Sequence, residues 1–200
     1  MGEEDNLNPY PMNPFERAKQ IRQEAEVVMD IIGLPEILQP YGPFTLTGSY
    51  FLDVMVYPDI DLYIPPVTIE QLFHIAGQLA KGERVIEVVF QKSKLSALPG
   101  GLYLKPRIEY GDWGRPWKVD IWSVDEAIIS RNTARLQHFK EKMTDELRIL
   151  IIEYKYAILT KKHRTPMFSG FFIYQAFIDE GMRDFEAVTE YLIGNGIRMG

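Results

Sequence analysis

Cysteine is absent from the 200 residues, which excludes disulfides, thiolate nucleophiles and cysteine-based zinc sites. Histidine is scarce: His74, His138 and His163 stand far apart, without the spacing of a metal site, and are assigned no role. No apolar run approaches the roughly twenty residues of a membrane span. The start, Met1-Gly2-Glu3-Glu4-Asp5, is acidic where a secretory leader is basic. The expectation is a cytoplasmic protein with no membrane partner. Basic residues are too few for a polyanion-tracking protein: 22 against 28 acidic ones give a net charge of -6, which disfavours nucleic acid as a partner. Repeats and low-complexity tracts are also missing. What the chain does have is apolar residues, 46% of the total, ample for the core of one compact domain or two small ones.

Residues 1–13 carry Pro9 and Pro11 and read as an extended N-terminal arm. Asn13 caps a helix that opens with Pro14 and continues through Ala18, Ile21, Ala25, Val28 and Met29 until Gly33 and Pro35 end it. Residues 43–47 read as a short strand and 59–64 as a second, stopped by Pro65-Pro66, with a short helix turning the chain back between them. Thr68 caps a helix running to Ala80. Strands are expected at 83–91, 102–110 and 116–122, joined by hairpin-type loops at Pro99-Gly100-Gly101 and Gly111–Pro116. Ser123 with Glu126 reads as a capping box for a helix to about Met143, and 144–197 as helices broken near His163–Pro166 and Gly181. This is an α+β fold, a short mixed sheet flanked by helices. Its division is an arm at 1–13, an α/β domain at 14–125 and a helical C-terminal region at 126–200.

The strand faces carry the chemistry. Alternation sends Asp59, Asp61 and Tyr63 to one side of 59–64 and Ile60, Leu62 and Ile64 to the other. In 117–122, Lys118, Asp120 and Trp122 oppose Trp117, Val119 and Ile121; in 102–110, Tyr103, Lys105, Arg107 and Glu109 share a face. If these strands are neighbours, three carboxylates gather on one side of the sheet, and a divalent cation with oxygen ligands offsets their repulsion. Upstream, separated from Asp59 by residues 50–58, stands Gly48-Ser49. Gly48 lets backbone approach a phosphate, and Ser49 donates from hydroxyl and amide. Carboxylates beside a phosphate-binding turn suit transfer of a nucleoside monophosphate from a triphosphate to a hydroxyl. That reaction asks for positioning and charge stabilisation, which two metals about 3.5–4 Å apart supply. Asp59 and Asp61 are the expected bridging metal ligands, Asp120 the ligand nearer the acceptor, and Lys118 and Lys155 further phosphate contacts.

Gly48-Ser49, then Asp59-Ile60-Asp61-Leu62, with Asp120 on a later strand, resembles the signature of the DNA polymerase beta-like nucleotidyltransferase superfamily. The layout looks like its small antibiotic-modifying and uncharacterised bacterial members. The resemblance covers about 47–64 and 117–122. It implies a short mixed sheet, a helical C-terminal segment completing the nucleotide and acceptor pockets, Mg2+ or Mn2+ as cofactor, and a nucleoside triphosphate, ATP, as co-substrate. Position by position, Gly48 and Ser49 match the phosphate-binding turn, Asp59 and Asp61 the paired ligands, and Asp120 the third carboxylate. In one departure from the pattern, the loop Tyr50–Pro58 has no basic residue and no glycine.

The leading reading is an enzyme acting on a hydroxyl of a small molecule. A nucleotidyltransferase acting on a protein or an RNA end, and a relative without catalysis that binds nucleotide or protein, stand beside it. A chain of 23.2 kDa also leaves room for a homodimer whose second subunit completes the cleft. Other residues have plainer readings. Asp53 belongs to a turn, Asp125 to the first turn of a helix, Lys161-Lys162-His163-Arg164 to an inter-helix loop with contact to a phosphate or acceptor anion as the alternative, and Phe168, Phe171, Phe172, Tyr174 and Phe177 to helix core, with part of the series lining a base or acceptor pocket as the alternative.

Overall fold

A computed structural model of the chain describes residues 12–162, 166 and 169–198. The bulk of the arm and the segment His163–Arg164 therefore lie outside the described residues, as do Phe168 and the side chains of Lys161 and Lys162. Five strands form one mixed sheet: β1 (Thr45–Leu46), β2 (Asp59–Ile64), β3 (Val85–Lys92), β4 (Leu102–Ile108) and β5 (Trp117–Ser123), in the order β1-β2-β5-β4-β3. The β2–β5 pair is parallel and the others antiparallel. The two glycine-bearing loops make the hairpins β3–β4 and β4–β5, as their turn chemistry demands.

Helix α1 (Pro14–Ile31) starts where expected, with the Asn13 side chain accepting from the Phe15 amide. Gly33, left-handed at φ 62°, ends it, but Pro35 does not stop helical structure: it sits in the first turn of α2 (Leu34–Leu38). Proline lacks only a donor that a first turn leaves unused. A five-residue helix, α3 (Gly48–Leu52), turns the chain back between β1 and β2, and α4 (Ile69–Leu79) carries a complete capping box between Thr68 and Gln71. The helical remainder is α5 (Glu126–Lys142), α6 (Asp145–Lys162), α7 (Ser169–Ile178) and α8 (Phe185–Gly194).

The capping box expected from Ser123 and Glu126 does not form. Asp125 occupies the position before α5, and Ser123 is the last residue of β5. The Ser123 hydroxyl accepts from the Val67 amide and donates to the Pro65 carbonyl, so it serves the Pro65-Pro66 turn, whose backbone groups the sheet leaves unpaired. The expected strand 43–47 shrinks to two residues.

Two large apolar cores result, beside a small cluster of Leu98, Val124 and Ile128. One lies under the sheet: Ile60, Leu62 and Ile64 of β2 and Val119 and Ile121 of β5 pack with Ile21, Ala25 and Val28 of α1 and Leu72, Ile75 and Leu79 of α4, all fully buried. Each buried valine, leucine or isoleucine among them contributes about 1.5–3 kcal/mol by leaving water. The other gathers Leu52, Val54 and Val56 with Phe139, Ile151, Tyr154, Ile173, Phe177 and Leu192 of the C-terminal helices. Arg17 of α1, buried, donates to the Val56 carbonyl at 2.6 Å and ties the two together. Among the described residues no helix is long and apolar enough to cross a membrane.

Candidate active site

Register decides the site. Asp59 pairs with Lys118 and Asp61 with Asp120 in the parallel ladder, and the β4–β5 ladder runs Leu104 against Ile121 and Arg107 against Lys118. One face of the sheet thus carries Asp59, Asp61, Lys118 and Asp120 with Tyr103, Lys105 and Arg107, while the opposite face enters the core. One carboxylate oxygen from each of Asp59, Asp61 and Asp120 lies within 4.8 Å of the others.

Lys118 was expected to face the phosphates. Here its ammonium stands 2.9 Å from Asp59 Oδ1 and 2.8 Å from Asp120 Oδ2. The approach to Asp120 is a hydrogen bond. The approach to Asp59 is poorly aligned, so this buried oxygen accepts no well-directed hydrogen bond. The other oxygen of Asp120 accepts from the Tyr103 hydroxyl at 2.6 Å, and the Tyr103 ring stacks on Trp122 at 4.4 Å. Burial, countered by Lys118 and reinforced by Asp120, pushes Asp59 up to about 6. Asp61 is pushed well above the carboxylate range by burial and then by Asp59 and Asp120. Burial alone would lower Lys118, but Asp59 and Asp120 outweigh it and hold the ammonium charged.

Gly48 sits against the carboxylates. Its φ of 58° is left-handed, and a Cβ there would collide with the Asp61 carboxylate. The turn is fixed by the Thr47 amide donating to the Asp61 carbonyl at 2.8 Å and the Val54 amide donating to the Ser49 carbonyl at 2.9 Å. Ser49 is buried, and near it lies Tyr174 on α7, whose ionisation burial opposes. Lys155 on α6 is buried and donates to the Val54 carbonyl at 2.7 Å. Burial brings it down to about 8, against the pull of Asp59 and Asp61. All seven expected residues therefore lie in one region, although both lysines are engaged with protein atoms. Asp53, left-handed at the end of α3, pairs with Arg148, in keeping with its reading as a turn residue.

Tyr103 escaped the sequence reading as a site residue, and Tyr174 entered it only within an aromatic series of which part could line a pocket. The signal for Tyr103 was present, since it alternates onto the face of Lys105 and Arg107; only the antiparallel register brings it to Asp120. Tyr174 stood among helical aromatics with nothing to distinguish its hydroxyl.

These residues fit a divalent cation on three observations. Three oxygen-donor carboxylates converge, one buried oxygen lacks an aligned donor, and the missing Cβ of Gly48 lets the Asp61 carboxylate pack against bare backbone.

No protein-family model matches the chain, and no curated protein matches it. Solved structures do. The GLD-2/RNP-8 complex aligns at a TM-score of 0.50 and 12% identity, over 74% of this chain and 60% of that one. The GLD-2/GLD-3 poly(A) polymerase complex gives 0.49 and 16%, over 72% and 50%. The Cid1 poly(U) polymerase with MgGTP bound gives 0.47 and 14%, over 72% and 46%. The chain thus spans less than two thirds of the length of each. The likeness is one of fold: the five-stranded mixed sheet with flanking helices is the nucleotidyltransferase fold.

Proposed function

We propose that the chain is a metal-dependent nucleotidyltransferase that moves a nucleoside monophosphate, AMP from ATP, to an acceptor hydroxyl on a small molecule. The observation that supports it best is the convergence of Asp59, Asp61 and Asp120 within 4.8 Å, with Gly48 packed against Asp61. Asp59 and Asp61 would hold Mg2+ or Mn2+, with Asp120 as the third ligand. Such an ion, when bound, polarises phosphoryl oxygens and lowers the pKa of a hydroxyl.

The chain's own residues do the rest. Gly48 exposes bare backbone to the phosphates, and Ser49 offers an amide and a hydroxyl. Tyr103 fixes the Asp120 rotamer, so that Asp120 faces the acceptor side and draws the hydroxyl proton. Lys118 neutralises the carboxylates and, with Lys155, is a candidate phosphate contact.

GLD-2, whose complex with RNP-8 shares this fold, is a poly(A) polymerase, which motivates a second reading in which the acceptor is an RNA end. Purified protein with magnesium and α-labelled nucleoside triphosphates, offered small hydroxyl compounds and an oligoribonucleotide with a free 3′ end, tests both. Label in a small compound supports the first reading and label in RNA the second. Binding of metal and nucleotide with no transfer to any acceptor would overturn both in favour of a non-catalytic binding module.

A further inference from the structure

Beside the carboxylates the sheet face opens into a cavity of about 360 Å3, walled by Tyr57, Pro58, Lys105, Arg107, Arg115 and Lys118. Every charged residue in its lining is a cation, in a chain whose net charge is -6. Lys118 is balanced by Asp59 and Asp120, but two of the other cations have little or no counter-charge. The Lys105 ammonium has no hydrogen bond or ion pair among the described residues, and the Arg107 guanidinium meets only the exposed Glu87, at 3.4 Å. Arg115 lies 5.8 Å from the ring of Tyr57. Like charges gathered in a concave wall concentrate positive potential and call for an anion.

The position of the cavity is as informative as its charge. Lys118 belongs both to the cavity wall and to the carboxylate cluster, and the β4–β5 register sets Lys105 opposite Asp120. The cavity therefore adjoins the cluster at Asp59 and Asp120, the two carboxylates that Lys118 reaches, whereas Gly48 touches it at Asp61. Gly48 and this cavity thus meet different members of the carboxylate cluster.

We propose that this cavity is the acceptor subsite and that the acceptor is a small hydroxyl compound carrying a phosphate group, an inference that rests on the transferase reading above. Guanidinium groups match phosphate oxygens in pairs, and a volume of about 360 Å3 takes a sugar phosphate rather than a polymer. A polycationic antibiotic would be repelled by the same wall.

The test is an amide-resolved NMR titration of inorganic phosphate into the full chain held with magnesium and a non-hydrolysable ATP analogue, with nucleotide affinity measured separately by calorimetry. Saturable shifts at Lys105, Arg107, Gly114 and Arg115 are expected, and ribose 5-phosphate should compete for them. The double variant Lys105→Ala/Arg107→Ala should weaken phosphate binding by about tenfold or more while nucleotide affinity holds. A milder Lys105→Gln variant, checked for a native amide spectrum, should weaken it in the same direction. Shifts confined to Gly48 and Ser49, or unchanged in the double variant, overturn the subsite. So does an unphosphorylated oligoribonucleotide that displaces phosphate better than ribose 5-phosphate does. Phosphate binding that behaves as expected in a protein that binds no nucleotide would instead overturn the transferase reading and leave the anion site standing.

Discussion

Lys118 and Asp120 stand two residues apart on one face of β5, with the ammonium of the first 2.8 Å from the carboxylate of the second. Alternation made their shared face inevitable, but the contact means that the carboxylate cluster carries its own counter-charge. Lys118 also reaches Asp59, so a single side chain holds together two groups that would otherwise repel.

Lys118→Met removes that counter-charge while keeping most of the stem. Without metal the variant should lose about 1–3 kcal/mol, because two largely buried carboxylates are left to repel. Added magnesium should then raise its melting temperature more than that of the parent protein. Melting curves with chelator and with magnesium check both statements; equal magnesium shifts in the two proteins would contradict them.

Asp61→Asn keeps shape and removes charge. Transfer should fall on the order of a hundredfold or more, since metal-held charge stabilisation is worth several kcal/mol. The metal-free fold should gain about 1 kcal/mol, because Asp61 is held far above its ordinary range by burial and by Asp59 and Asp120. Single-turnover assays beside calorimetric melting give the two numbers, and unchanged turnover would show that the site lies elsewhere.

The raised Asp59 sets a pH dependence. Its folded value of about 6 exceeds the unfolded value of about 4, so between these the folded state binds more protons and stability falls as pH rises. Metal-free protein should therefore melt higher at pH 5 than at pH 7 on this account. Magnesium needs the ionised form, so its affinity should drop below about pH 6. Lys155, lowered to about 8, acts in another window: the unfolded chain binds more protons between there and about 10, and stability rises with pH across that range. Melting series in chelator and in magnesium separate the two effects.

Gly48→Ala tests the turn. A left-handed φ of 58° and a Cβ driven into Asp61 should together cost about 1–3 kcal/mol and displace that carboxylate. Loss of magnesium-dependent stabilisation in thermal melts, beyond the loss of basal stability, is the expected signature. A variant that melts like the parent with metal would refute it.

The sequence disclosed the face of each strand because a pleat alternates strictly, so Asp59, Asp61, Lys118 and Asp120 needed only the assumption of neighbouring strands. It could not disclose register, which depends on how three separate segments slide past one another, and so Tyr103 went unnoticed beside Asp120. Side-chain reach was hidden for a related reason. Lys118 and Lys155 carry long flexible stems, and whether an ammonium meets a ligand, a carboxylate or the Val54 carbonyl is decided by atoms distant in sequence. Ser123 misled because serine followed three residues later by glutamate carries the same signal wherever it stands, while in the fold the unsatisfied Pro65-Pro66 backbone claimed its hydroxyl.

In the strand order β1-β2-β5-β4-β3, Asp59, Asp61 and Asp120 lie on interior strands, while Arg115 sits on the connection between β4 and β5. On the transferase reading, reactivity would be lodged in the part of the molecule least tolerant of change, and selectivity would draw partly on a segment that accepts insertions and substitutions. Redesign of that connection, with the carboxylate strands untouched, is the route by which such a scaffold would be taught a different acceptor.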